Sequence, residues 1–317
     1  ERSRLAALYA LAQGDAPVVV ATADGLMART LPPETLRSLA ITLEVGGQAE
    51  LGALAEQLLS AGYTRCEQVE GVGQFALRGG ILDVFSPLMD QPVRCEFFDD
   101  EIDSMGAFDP GTQRRTRNVS SARILPAAEV LPHCAPGGLP GLADQLTALA
   151  EKLAKKQKTE AIVQTLREDA ERLRSGAAPG AADRYLAAIY PTVTAGVHYL
   201  PPDAVVFLSE SGRVDERVKN TVLQQKQDVE ALLSAGVLAG EYAHLTLTAE
   251  ELYAALEDFP VILEDSLPTS RHPLRPRGLL TMNAKQLSSY GGSLETAVTD
   301  LEHYRSSGSA VLVLCAD

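Results

Sequence analysis

The stretch from Gly73 to Arg117 restricts the fold more than any other part of the chain. Phe75 and Leu77 fall on one side of an extended segment, with Gln74, Ala76 and Arg78 on the other, which is the alternation of a half-buried strand. Gly79-Gly80 interrupts it and predicts a bulge or bend. Ile81 to Phe85 follows as a nearly all-apolar run, stopped by Ser86-Pro87. Alternation resumes with Val93, Cys95 and Phe97 against Arg94, Glu96 and Phe98. Asp99-Asp100 is a turn signal, and a third strand is expected to start near Glu101. The expected result is an antiparallel meander whose polar face carries Arg78, Arg94, Glu96 and Phe98. An aromatic among charges on a solvated sheet face suits a binding anchor, with arginines supplying geometry. A Phe98 tucked under a neighbouring loop fits the same pattern, and alternation alone does not separate the two.

At 317 residues the chain is long enough for two or three domains. Its net charge of −14 disfavours a protein whose main task is gripping nucleic acid, although a local basic patch is compatible with it. Cys66, Cys95, Cys134 and Cys315 form no CxxC pair and read as free thiols of a reducing compartment. No second ligand pair stands near His133-Cys134, so no metal is expected there. No apolar run approaches the roughly 20 residues that span a bilayer, and no signal peptide opens the sequence. A cytoplasmic protein without a membrane partner is expected. The sequence begins inside a helix pattern and stops just after the strand-like run Ala310 to Leu314, as an excised fragment would.

Around the meander the chain alternates between layers. Arg2 to Ala12 has the spacing of a short amphipathic helix, and Val18 to Thr22 reads as a buried strand of the parallel kind. Ile41 to Val45 is a short strand, and Leu51, Leu54, Leu58 and Leu59 give a helix ending at Gly62. Residues 40–120 thus read as a compact α+β domain inserted into the α/β layer begun by residues 1–38, with Ala122 to Pro126 a strand that could return to that layer. Residues 135–141 read as linker, and one long helix or two consecutive ones follow from Leu142 to about Arg174. Lys155-Lys156-Gln157-Lys158 within it fits a solvated face better than a phosphate contact. Val205 to Ser211 reads as a buried strand, Val214 to Gly236 as a polar helix, Pro268 to Pro276 as an extended linker, and Leu294 to Tyr304 as a helix before the strand-like Ala310 to Leu314.

Several chemistries have no sequence support. No GxxxxGK[ST], G-x-S-x-G, H-E-x-x-H or paired-cysteine motif is present. Gly71-Val72-Gly73-Gln74-Phe75-Ala76 matches G-x-G-x-x-A by letter, but its glycines precede a strand instead of following one. The carboxylates Asp99, Asp100, Glu101 and Asp103 crowd a turn and read as solvated. Neither catalysis nor a cofactor is expected of this chain by itself.

Gly73–Phe85, Val93–Phe108 and Tyr199-Leu200-Pro201-Pro202-Asp203-Ala204 together resemble the UvrB-like module of bacterial excision repair. Two families of repair proteins carry that module: the excinuclease protein UvrB, and the amino-terminal part of transcription-repair coupling factors. The resemblance covers about residues 1–270. In UvrB the strand after the Leu-Pro-x-Asp-Ala-like segment ends in the Walker B carboxylates. Here it reads Leu208-Ser209-Glu210-Ser211, with Ser209 at the metal-binding aspartate and Glu210 beside it. Losing that charge would remove the hold on Mg²⁺, a degeneracy similar to that of the coupling factors, and Phe97 to Ser104 also resembles theirs more closely.

The resemblance implies a helicase-type, RecA-like α/β layer in degenerate form, formed by residues 1–38 plus about 120–165. It further implies an inserted α+β docking domain at 40–120, a second lobe at 165–265, and the start of a further small α/β domain at 270–317. It implies that the inserted domain docks UvrA, a second protein of the excinuclease, with contacts carried over at Arg78, Arg94 and Phe98 and Glu96 as their neighbour. Ala76 departs from the basic residue that UvrB usually has two positions before Arg78. It implies masking of this face by other domains of the same full-length protein, and contacts with RNA polymerase and DNA, together with an ATP-driven translocase, beyond residue 317. The alternative is a fragment of UvrB itself, an ATP-dependent, damage-verifying, helicase-like protein.

Overall fold

The computed structural model describes residues 2–155, 160–267, 271–282, 290 and 292–313. The chain divides into two units, Glu1–Leu274 and Arg275–Asp317. The first unit is mixed α/β. Helices α1 (Arg2–Gln13), α2 (Ala23–Met27) and α3 (Pro33–Leu39) precede strand β1 (Ile41–Glu44) and helix α4 (Leu51–Ser60). Strands β2 (Thr64–Arg65), β3 (Gln74–Arg78), β4 (Ile81–Val84), β5 (Val93–Phe98), β6 (Glu101–Phe108) and β7 (Arg115–Asn118) follow and form one sheet in that spatial order. Within it the β2–β3 ladder is parallel and the other four are antiparallel.

One face of this sheet closes a core against α4. Phe75, Leu82, Val84, Val93, Cys95 and Met105 from the sheet meet Leu54, Ala55 and Leu58 from the helix, all buried. The helix stays in place because both its ends are satisfied. The Gly52 and Ala53 N–H groups donate to the Glu50 carboxylate at 2.8 and 2.7 Å, and the chain leaves through Gly62 at φ +84°, a conformation suited to glycine. Burial pushes the Cys95 thiol up to about 12. Alkylation of the native chain at about pH 8, mapped by mass spectrometry, is therefore expected to label the half-buried Cys66 and Cys134 well before Cys95. Equal labelling would contradict this packing.

Strand β8 (Ser121–Ile124) pairs antiparallel with β1, and Ala122 and Ile124 enter the same core as Leu43. The expected return of Ala122–Pro126 to the layer begun by residues 1–38 is thus corrected: the strand finds its partner within the α4 body. Helices α5 (Gly138–Lys155) and α6 (Glu160–Arg174) then pack on each other and on α1, around a core that includes Leu5, Leu142, Leu146, Leu166 and Tyr185. There are two helices, not one, and α5 starts inside the expected 135–141 linker. Lys156 to Lys158 of the basic cluster lie outside the described residues.

Helix α7 (Leu186–Ile189), strand β9 (Val206–Ser209), helix α8 (Ser211–Ser234), helix α9 (Ala249–Leu256) and strand β10 (Val261–Glu264) complete the unit. Strands β9 and β10 form a two-stranded parallel ladder. Helices α2, α8 and α9 share a third core through Met27, Val218, Leu252 and Leu256.

Two strands read as buried are not. Val18 to Thr22 forms no strand, and Val18 and Val20 are 81% and 95% exposed. In β9 only Leu208 is buried, while Phe207 and the preceding Val205 are exposed. Runs of β-branched and aromatic residues favour extended backbone, but burial needs a neighbouring layer, which sequence composition does not supply. The second unit holds helix α10 (Leu294–Ser306). Residues 310–313 are not a strand and Val311 to Val313 are exposed, a further correction; Leu314 and Cys315 lie outside the described residues. No helix among the described residues is long and apolar enough to cross a membrane.

Candidate protein-docking face

The second face of the six-stranded sheet holds the residues singled out for binding. Gly79-Gly80 does not bend one strand; it closes a two-residue hairpin between β3 and β4, with Arg78 opposite Ile81 and Gly79 at φ +57°. The turn brings Asp83 onto the same face as Arg78. Through the β4–β5 register Asp83 stands directly opposite Arg94, and Ile81 opposite Glu96.

Asp83 organises this face. Its carboxylate is 0% exposed yet takes charge-assisted hydrogen bonds from two arginines. Arg94 grips it in bidentate fashion, Nε to Oδ1 at 2.7 Å and Nη2 to Oδ2 at 2.8 Å, and Arg78 Nη2 donates to Oδ2 at 2.6 Å. Arg94 is further fixed by the Phe108 ring, 4.6 Å from its guanidinium carbon, and by Gln113, which accepts from it through its side-chain and backbone oxygens. The hydrogen bonds to Asp83 raise the Arg94 guanidinium above its ordinary range, so its charge is permanent at any working pH. The side chains differ in access: Arg78 is 45% exposed and Arg94 22%.

Phe98 ends β5 on this face and is 80% exposed. It does not tuck under a loop. Its neighbour Phe97 does the packing, partly buried on the α4 side. A register shift at Glu96/Phe97 and the Phe98–Asp99-Asp100–Glu101 turn, with Asp99 at φ 56°, set the aromatic at the sheet's corner. Glu96 lies between the two kinds of contact and accepts from the Ser104 hydroxyl at 3.0 Å. Arg78, Arg94, Glu96 and Phe98 therefore share one face. Asp83 escapes a reading by alternation because it sits inside a run that is otherwise apolar. A charged residue in such a run, shortly after a two-residue glycine turn, is the signal that marks it.

Ser209 and Glu210 lie elsewhere, at the junction of β9 and α8. Glu210 adopts the left-handed conformation, φ 55° and ψ 64°, and its carboxylate accepts from the Ser266 backbone N–H and hydroxyl. Ser211 is buried and donates its N–H and hydroxyl to Asp265, so a carboxylate from the end of β10 already neutralises the start of α8. Among the described residues no group of three or more His, Cys, Asp or Glu is arranged to hold a metal ion.

Residues 41–129, which contain this whole face, match the family model described as UvrB interaction domain. The chain is thus built around a UvrB-type interaction module. Its resemblance extends further than that segment. It is 27% identical over 99% of its length to the transcription-repair-coupling factor of Bacillus subtilis (strain 168), covering 27% of that protein. It is 30% identical over 98% of its length to that of Myxococcus xanthus, covering 26% of it, and 25% identical over 98% to that of Staphylococcus aureus (strain USA300), again covering 26%. Over nearly its whole length the chain is similar to transcription-repair coupling factors, and it spans about a quarter of the length of these relatives.

Proposed function

We propose that this chain is a non-catalytic recruitment module that binds the excinuclease protein UvrA and so brings nucleotide excision repair to stalled RNA polymerase. The observation that carries the reading is the exposed Phe98 on the same sheet face as arginines locked on a buried carboxylate, all inside the segment that matches an interaction domain. Phe98 is the apolar anchor, Arg78 and Arg94 bond carboxylates of the partner, and Glu96 sets the spacing between them. The remaining regions support this face. Residues 40–120 with β8 form the docking domain, residues 1–38 with α5 a nucleotidase-like remnant without a strand of its own among the described residues, about 165–265 a second lobe, and 270–317 the start of a further domain. Ser209 and Glu210 mark a Walker B position without its metal-binding aspartate, and the engagement of Glu210 by Ser266 fits a structural role. ATP turnover, DNA translocation and polymerase contact belong to other parts of a full-length cytoplasmic protein, which also masks the docking face until it is needed.

The test is titration of this chain with purified UvrA, beside titration with ATP and Mg²⁺. Saturable binding to the first and none to the second supports the reading. ATP binding together with UvrA binding would favour a fragment of UvrB instead, and no binding to UvrA would overturn the reading.

A further inference from the structure

The polar sheet face continues past Arg94 to a guanidinium outside the set already described. Gly106 on β6 stands directly opposite Arg94. Arg115, from β7, reaches back across that glycine: a Cβ placed at Gly106 would fall 1.8 Å from Arg115 Nε and 2.7 Å from its guanidinium carbon. Arg115 Nη2 donates to Ser104 Oγ at 3.4 Å, and the Ser104 hydroxyl in turn donates to Glu96. The Arg115 side chain is otherwise exposed. Gly106 has no positive φ, so its backbone does not call for glycine. The space above it does.

We propose that Arg115 is a third cationic contact of the docking face and that Gly106 is its seat, the missing side chain letting the guanidinium lie on the sheet beside Arg94. The inference rests on the recruitment reading and adds the chemistry of the partner's surface. Arg78, Arg94 and Arg115 stand on this face with the carboxylates of Asp83, which is fully buried, and Glu96, which is bonded to Ser104, on a chain whose net charge is −14. Each arginine carries five N–H donors, and Arg78 and Arg115 each engage a single acceptor within the sheet, Asp83 and Ser104. A protein surface presenting at least two carboxylates around an apolar pocket for Phe98 complements this arrangement. Duplex DNA would use the guanidinium groups but leave the exposed aromatic without a partner.

The experiment is equilibrium binding of the full chain to UvrA at two salt concentrations, with Arg115→Ala, Arg115→Lys, Gly106→Ala, the Gly106→Ala/Arg115→Ala pair and Phe98→Ala. Arg115→Ala is expected to weaken binding about five-fold at low salt and to flatten its salt dependence, with Arg115→Lys intermediate. Gly106→Ala is expected to weaken binding in the Arg115 background and to add nothing once Arg115 is alanine, while Cys95 stays protected from alkylation. Wild-type affinity in Arg115→Ala, or equal losses from Gly106→Ala in both backgrounds, would overturn the proposal. So would duplex DNA binding by the chain that Arg115→Ala abolishes while UvrA binding is kept. Binding that needs Phe98 but ignores Arg115 sinks this inference alone; no binding by the wild type sinks the recruitment reading beneath it.

Discussion

Phe98→Ala is expected to weaken binding to UvrA by about 30-fold or more, the effect of removing a central aromatic anchor worth at least about 2 kcal/mol. The thermal midpoint of the chain should not fall, because Phe98 is 80% exposed and no core cluster includes it. This pairing of a large binding loss with no stability loss is what separates an anchor from a packing residue. Phe97→Ala provides the contrast. It removes a side chain that packs partly buried against the α4 core, so it should lower stability and, through it, binding. If Phe98→Ala bound like the wild type, the exposed aromatic would be an ordinary surface residue and the docking face would have to be sought elsewhere.

The second large effect concerns stability. Arg94→Ala is expected to cost about 3 kcal/mol, because it leaves a carboxylate buried with one of its two partners removed. Asp83 has no exposed surface, and the remaining Arg78 gives it one hydrogen bond where there had been three. The loss also takes away the cation over the Phe108 ring. Arg78→Ala should cost less: Arg94 keeps its bidentate grip, and the side chain removed is nearly half exposed. Removing the whole charge system should recover most of the loss, so Asp83→Leu with Arg94→Met is expected to be more stable than Arg94→Ala. Urea unfolding of the wild type and these three variants, followed by circular dichroism, measures the series. An Arg94→Ala chain as stable as the wild type would show that Asp83 is readily rehydrated and that the ion-pair cluster does not hold this face. For binding studies, Arg94→Ala is a poor reporter, since it disturbs the face's support together with its surface.

The strand pattern was readable because one side of each strand is buried. Alternation in β3 and β5 assigned Arg78, Arg94, Glu96 and Phe98 to one face, and the ladders place them there. Four things were harder to read. Gly79-Gly80 fits a bulge as well as a hairpin by composition, and only the pairing distinguishes them; with the hairpin unread, Asp83 stayed hidden in an apolar run. The seat of Arg115 over Gly106 depends on β6 pairing with β7 through a register shift at Ala107/Phe108, which no local pattern reveals. Val18 to Thr22 and Val205 to Ser211 have the residues of buried strands, but those residues encode a preference for extended backbone, not a covering layer. Ser209 and Glu210 can be singled out from the sequence, whereas the contacts of Asp265 with Ser211 and of Ser266 with Glu210 come from more than fifty residues away.

Isothermal titration of this chain into purified UvrA, wild type beside Phe98→Ala, tests the central claim most directly. Saturable binding by the wild type, weakened about 30-fold in a Phe98→Ala chain of unchanged thermal midpoint, is the predicted result. Equal affinity of the two proteins, or no binding by either, would contradict it.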